Sequence, residues 1–551
     1  MSKAARREWR DLLFMKTKRL LGIVLGLAGF ALPFFVQFPG LGFTGHVTLG
    51  IFLLAAAFWL FEPVPIYTTS VLVIFLEVLL LSAEGPLFNF AQPPRVPPQM
   101  AANPGEFLLP ASALLSDTAV FVAKKEGGPE KVAVEKLETV GAQVRVRATG
   151  LSTNSAVLTE PAHWTVKEKP TAYRNYFAAL ADPIIILFLG GCLLADASVK
   201  YRLDRALTRM FLKPLGSSPR LIILGLLVAT GTLSAFMSNT ATTAMMMTVV
   251  LPLIASLDRD DPLRIAVVLA IPVGANIGGI ATPIGTPPNA IALAALTKAG
   301  VSVPFVTWVI MALPIVVVTL LFSWVVLLKL FPARTRALNL DLADEFDRSP
   351  RAIGLYVVFG LTALLWFTEN QHGISSNIVA FLPVVALPMF GIVGKKEIHA
   401  LPWDVFWLMA GGISLGTAIK TTGLAEWMVA QVQWSSLSGY GIILGLALLS
   451  FALANFLSHT VTVTLLAPIA ISVGAVAGQI AGFDLATALI AVAVASSYGM
   501  TLPISTPPNA IAMGSGVLET RHLVKAGSVI GLGGMALVLV LAKFYWPLFA
   551  R

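Results

Sequence analysis

Four short polar clusters interrupt otherwise apolar sequence. Two are Ser238-Asn239-Thr240 and Ser458-His459-Thr460, and two are Thr286-Pro287-Pro288-Asn289 and Thr506-Pro507-Pro508-Asn509. Their side chains are hydroxyls, amides and one imidazole, which donate and accept hydrogen bonds without fixed charge. No carboxylate stands in any of the four. Acid–base catalysis and tight metal chelation draw on carboxylates or on clustered His and Cys, so an enzyme is not expected. Such a set suits an anion instead. Amides and hydroxyls face its oxygens, and the half-helix N-termini after Pro287-Pro288 and Pro507-Pro508 add partial positive charge. Exposed carbonyls near Gly285 and Ser505, with Ser234, Ser238 and Asn239, suit a small hard cation such as Na+. No Gly-x-x-x-x-Gly-Lys-Ser/Thr stretch occurs, so ATP-driven chemistry has no support.

The elements that hold these clusters are membrane elements. Of 551 residues 56% are hydrophobic and 12% charged, which fits a polytopic membrane protein and not a soluble one. The net charge of +9 reflects Lys and Arg gathered in cytoplasmic loops, not nucleic-acid binding. The basic stretch Met1–Leu20 places the N-terminus in the cytoplasm, ahead of an uncleaved span at about 20–37. The single cysteine, Cys192, reads as a core residue.

Two stretches are too long and too polar in the middle for simple spans. Leu221–Leu257 carries the first Ser-Asn-Thr tip, and charged loops flank both of its ends, so it reads as a re-entrant hairpin. Ile265–Ala299 carries the first Thr-Pro-Pro-Asn, where proline removes a helical donor and breaks the span. A hairpin at about 441–473 and a broken span at about 485–514 repeat the pattern. The heptapeptide Thr-Pro-Pro-Asn-Ala-Ile-Ala recurs 220 residues later, and Ser238 to Thr286 and Ser458 to Thr506 are both 48 residues. Gly190-Gly191 and Gly411-Gly412 extend the match. An odd number of spans between the copies makes the halves inverted, an architecture of secondary transporters with the site near the midplane.

The remaining organisation follows. Residues 1–83 hold the tail and spans one to three, with a break at Phe61-Glu62-Pro63-Val64-Pro65. Residues 84–176 are charged and proline-rich, with short β-like runs at Ala119–Val122, Val132–Val134 and Gln143–Val146, and read as a small inserted β domain on the outside. Residues 177–330 form the first repeat, and 331–551 the second. Tyr201–Leu215, with Arg202, Arg205, Arg209 and Lys213, reads as an interfacial amphipathic helix. The outer loops Thr368–Asn377, Ala430–Gly439 and Val476–Asp484 lack Lys and Arg, which puts them and the C-terminus outside.

The tips differ at one position. Histidine 459 stands where the first half has Asn239, and Ala454 stands where it has Ser234. Two readings are open: a neutral histidine bonded locally, or one that alters or replaces a cation site and titrates in the physiological range.

With the Ser238-Asn239-Thr240 tip, the paired Thr-Pro-Pro-Asn segments, the Phe61–Pro65 break and Asp182-Pro183 followed by Gly190-Gly191, the chain resembles the divalent anion:sodium symporter (DASS, INDY-like) family. The resemblance covers about residues 20–84 and 177–551. It implies an all-α, homodimeric elevator transporter with two re-entrant hairpins and two broken helices, in a bacterial inner membrane among lipid. It implies transport of dicarboxylate, tricarboxylate or sulfate, with C4-dicarboxylate and Na+ coupling expected. It implies a first Na+ site at Ser234, Ser238, Asn239 and the backbone from Gly285 to Pro287, with His459 and Ser505 at the second. Substrate contacts are implied at Asn239, Thr240, Ser458, His459, Thr460 and the segments carrying Thr286, Asn289, Thr506 and Asn509. The family's second tip is Ser-Asn-Thr, and His459 departs from it. An exchanger, an H+-linked carrier and a sulfate or citrate transporter are the alternatives, and a sensor or channel on the same fold is a third class. In the insert, Leu109–Leu114, Val120–Val122 and Gly141–Gly150 resemble the membrane-proximal domain of periplasmic adaptor proteins, which leaves room for a periplasmic partner.

Overall fold

The computed structural model describes residues 3–36, 38–83, 85, 95–96, 99–101, 106–110, 114–116, 119–123, 130–140, 143–148, 151, 156–158, 171–255, 257–336, 346–431, 438–477, 480, 482–503 and 505–549. The sequence expectations that fall on 111–113, 141–142, 149–150, 337–345, 432–437, 478–479 and 481 lie outside these. The described chain is mostly helical, and seven of its helices are long and apolar enough to cross a membrane. Two compact units divide it: Met1–Ala179 with Ser414–Val432, and Leu180–Ile413 with Gln433–Arg551.

The first unit holds helices Lys3–Phe35, Phe43–Phe61 and Ile66–Leu81. The second of these stops at the expected break. Pro63 cannot continue it, and Glu62 closes it with a left-handed φ of 50°, unusual for a residue with a side chain. Within this unit the buried carboxylate of Glu77 accepts from the Ser414 hydroxyl. The described residues between 95 and 158 form nine strands, all paired antiparallel. Arg95–Val96 (β1), Leu114–Ser116 (β4), Ala119–Ala123 (β5), Glu130–Ala133 (β6) and Ala156–Leu158 (β9) make one sheet. Gln99–Met100 (β2), Glu106–Pro110 (β3), Glu135–Val140 (β7) and Gln143–Arg147 (β8) make the other. Period-2 alternation explains their core. Val144 and Val146 on β8 face Leu109 and Phe107 on β3, and Val120 and Val157 join them in one buried cluster. Where β3 begins and β8 ends, Arg147 bonds Glu106 at 3.0 Å.

The second unit carries the four polar clusters. The amphipathic segment is a helix over Leu203–Leu212 followed by a 3-10 turn, shorter than the 201–215 expected because Arg202 enters it with a φ of 56°. The first broken helix is anchored at its start by Asp261. Its carboxylate accepts from the Thr335 hydroxyl at 2.6 Å, from the backbone of Leu263 and Thr335 at 2.9 Å each, and from that of Arg334 at 3.2 Å. Burial pushes this carboxyl's pKa up, but the Thr335, Leu263 and Arg334 donors outweigh it and hold it below the usual carboxylate value. Its contribution to stability is therefore present above the ordinary carboxylate range and lost as pH falls through the lower folded-state value. Asp261→Asn is expected to cost about 1.5–3 kcal/mol at neutral pH, the scale of hydrogen bonds to a charged group. Thermal unfolding midpoints followed into acid should fall less steeply for this variant than for the native chain. Parallel curves would show that the Asp261 carboxylate does not contribute to acid-sensitive stability.

Candidate functional site

Each polar tip is built by a pair of helices. Pro219–Ser234 and Asn239–Ala255 flank the first, and Gly439–Ala454 and His459–Ala477 flank the second. The second helix of each pair starts where a serine caps it. Ser238 accepts from the Ala241 N–H at 3.1 Å, and Ser458 from that of Val461 at 3.2 Å. A broken helix lies beside each pair: Leu263–Gly278 with Pro287–Lys298, and Leu485–Ser497 with Pro507–Met513. Glycines allow the approach in the first half, since a methyl at Gly278 would run into the backbone of Gly231.

The breaks free backbone carbonyls that need donors in a dry interior. The two heptapeptide asparagines supply them. Asn289 Nδ2 donates to Gly279 O at 2.9 Å and Thr282 O at 2.8 Å. Asn509 Nδ2 donates to Met500 O at 2.9 Å and Leu502 O at 3.0 Å. Both asparagines are buried, at 0% and 2% exposed. Proline at the first positions of the following half-helix needs no donor and starts it cleanly. The two following halves are unequal, twelve residues at Pro287–Lys298 but seven at Pro507–Met513.

Around the first tip, oxygens converge. Ser234 Oγ donates to Ala275 O at 2.9 Å and lies 2.7 Å from the Asn239 amide. That same amide atom is 3.2 Å from both Ala275 O and Gly285 O. Written as oxygen, it joins three other oxygens around one point. Turned over, its nitrogen donates to the two carbonyls and takes the place a cation would fill; the hydrogen-bond network assigns this orientation. Gly285 is wedged among more carbonyls, and a methyl there would lie 2.6 Å from Gly279 O and 3.0 Å from Ser234 O and Ala235 O. The Thr282 hydroxyl donates to Ala235 O and ties tip to break.

The second half is built differently. His459 Nε2 meets Gly499 O at 3.1 Å, and Ser505 Oγ donates to its own loop at Leu502 O, 2.7 Å away. Thr506 is buried and caps the Asn509 N–H at 3.2 Å, and Thr286 is buried at the matching place. Thr240 is exposed, while Ser238, Asn239, Ser458, Thr460 and Pro287 are half-buried and His459 is buried. The halves interlock. Pro287–Lys298 packs on His459–Ala477 and Leu485–Ser497, and Pro507–Met513 packs on Asn239–Ala255 and Leu263–Gly278. Asn276 bridges them through long contacts from Nδ2 to Thr506 Oγ1 at 3.4 Å and Asn509 Oδ1 at 3.5 Å. Among the described residues no cluster of His, Cys, Asp and Glu could hold a metal ion.

Sequence reasoning passed over Asn276, Thr282, Asn455 and the carbonyls of Ala275 and Gly279. The 220-residue offset sets Ser496 against Asn276 and Leu502 against Thr282. A search for repeated residue types therefore misses them, and a carbonyl has no residue type at all. An unmatched polar residue beside a matched motif was the usable signal.

A family model described as sodium:sulfate symporter transmembrane region matches residues 144–551. An uncharacterized transporter of Haemophilus influenzae is 29% identical over 392 residues, 68% of this chain and 83% of that one. The sodium-dependent high-affinity dicarboxylate transporter 3 of Caenorhabditis elegans is 30% identical over 417 residues, 64% of this chain and 73% of that one. The sodium-dependent dicarboxylate transporter SdcS of Staphylococcus saprophyticus is 29% identical over 407 residues, 67% of this chain and 78% of that one.

Proposed function

The chain belongs to the sodium:sulfate symporter transmembrane family, and from that premise we propose that it carries C4-dicarboxylates across a bacterial inner membrane, driven by Na+. Its class is that of an integral membrane transporter, as its family and relatives are, and not of an enzyme. The observation that carries the proposal is the convergence of Ser234 Oγ, Ala275 O and Gly285 O on the Asn239 amide, whose nitrogen stands where an ion would and whose oxygen faces that ion when the amide turns over, beside a tip whose Thr240 is open. Hard oxygens at this spacing suit Na+, and the ion then adds positive charge next to an anion site made only of neutral donors. Thr240, Ser458 and Thr460 are its contacts with the two carboxylates. Asn289, Asn509 and Thr506 serve it from behind by bracing the breaks, and Thr286 is buried at the matching place.

In this reading the two helix pairs are re-entrant hairpins of inverted repeats, and the site crosses the bilayer by an elevator movement within a homodimer. The N-terminus is cytoplasmic, and the 84–176 insert and the C-terminus are outside, where the insert offers a face to a periplasmic partner. The family description names sulfate, which favours sulfate as the alternative anion. Proteoliposomes separate the readings. Labelled succinate should accumulate under an inward Na+ gradient and not when K+ replaces Na+, and unlabelled sulfate should compete poorly. Uptake indifferent to the cation but dependent on internal dicarboxylate would make the protein an exchanger.

A further inference from the structure

The 220-residue offset lays the two tips over each other position by position. Ser234, Ala235, Asn239, Gly279 and Gly285 correspond to Ala454, Asn455, His459, Gly499 and Ser505. In the first half the donor is an amide that can turn over: the Asn239 nitrogen donates to Ala275 O and Gly285 O beside the Ser234 hydroxyl, and turned the other way its oxygen joins them around one point. In the second half the same positions are self-sufficient. The Ala454 methyl group lies against Gly499, so closely that a methyl on Gly499 would come within 2.5 Å of it. No hydroxyl remains where Ser234 has one. The carbonyl of Gly499 faces His459 Nε2 at 3.1 Å. A carbonyl only accepts, so this contact places the proton on Nε2. Asn455 spans tip and break, accepting from Thr501 N at 3.2 Å and donating to Phe451 O at 2.8 Å. Ser505 Oγ is committed to Leu502 O.

We propose that the second half binds no cation: the imidazole of His459 is a permanent N–H donor standing where the first half accommodates Na+, so that one ion, at Ser234 and Asn239, couples to each substrate. The chemistry is that of substitution. A cation and an N–H both satisfy carbonyls that a broken helix leaves open, but the N–H is covalently fixed and cannot leave with the substrate. The half-site stays preorganised whether or not sodium is present, and Ser458 and Thr460 keep their places without an ion. The inference rests on the sodium-coupled reading above.

Equilibrium binding of radiolabelled sodium to the purified full chain tests it. The native protein should bind one ion per chain, Ser234→Ala should bind none, and the sodium dependence of succinate uptake should be hyperbolic. The double variant Ala454→Ser with His459→Asn should bind a second ion and make that dependence sigmoidal. Two ions per native chain, or one that survives Ser234→Ala, would overturn the one-ion proposal while leaving sodium coupling in place. No bound sodium in the native chain would overturn the coupling itself and the proposal with it. Should the double variant fail to fold, the native stoichiometry and the Ser234→Ala result decide alone.

Discussion

Asn239→Ala is expected to lower sodium-driven succinate uptake about a hundredfold, the scale of one lost hydrogen bond to charge at about 3 kcal/mol. The amide sits where Ser234 Oγ, Ala275 O and Gly285 O meet. Alanine removes the fourth ligand and takes the amide donor from Gly285 O, while Ala275 O keeps the Ser234 hydroxyl. The half-saturating Na+ concentration should rise steeply, and high Na+ should restore part of the rate. The protein should still fold, because Asn239 is half-buried and its helix is capped independently by Ser238. A near-native response to Na+ would remove the first tip from ion binding. Asn239→Gln tests geometry separately. It keeps the amide but moves it by one methylene, and should recover little.

Asn289→Asp should be the most damaging single change in stability. Asn289 donates to Gly279 O and Thr282 O from a position with no exposure to solvent. Alanine there would leave two buried carbonyls unpaired, at about 1–3 kcal/mol each. Aspartate is worse, because an ionised carboxylate cannot donate and would face those carbonyls with like charge. Thermal unfolding of the purified chain should rank native above Asn289→Ala above Asn289→Asp, and the aspartate variant should carry no substrate. Asn509→Asp should show the same order, since Asn509 makes the matching bonds to Met500 O and Leu502 O. Stable but inactive variants would return both asparagines to direct contact with substrate.

These asparagines also show what the sequence discloses and what it hides. Two breaks, two tips and their spacing were legible, because prolines and polar clusters inside apolar runs leave few other solutions. The strands at Ala119–Ala123 and Gln143–Arg147 were legible from period-2 alternation. The role of Asn289 was not. An amide beside a break reads equally well as a ligand facing inward or as a brace turned back on the chain, and the carbonyls of Gly279 and Thr282, which take its nitrogen, are backbone atoms that a sequence does not display. The asymmetry of the tips was visible at His459 and Ala454, but its meaning depends on Gly499 O, a backbone atom. The start of the amphipathic helix and the shortness of Pro507–Met513 were likewise hidden, since turn geometry at Arg202 and at Gly514–Gly516 sets them locally.

Sodium coupling requires that Na+ and a dicarboxylate bind to this chain together, with the ion at the first tip. Linkage makes this measurable, because two ligands that favour one another must each strengthen the other's binding by the same factor. Thermal unfolding of the purified chain with Na+, with succinate, with both and with neither gives the coupling directly. Succinate should raise the unfolding midpoint in Na+ but not in K+, and Ser234→Ala should lose this increment while His459→Asn keeps it. Equal stabilisation by succinate in Na+ and K+ would rule out an ion bound with the substrate at the first tip.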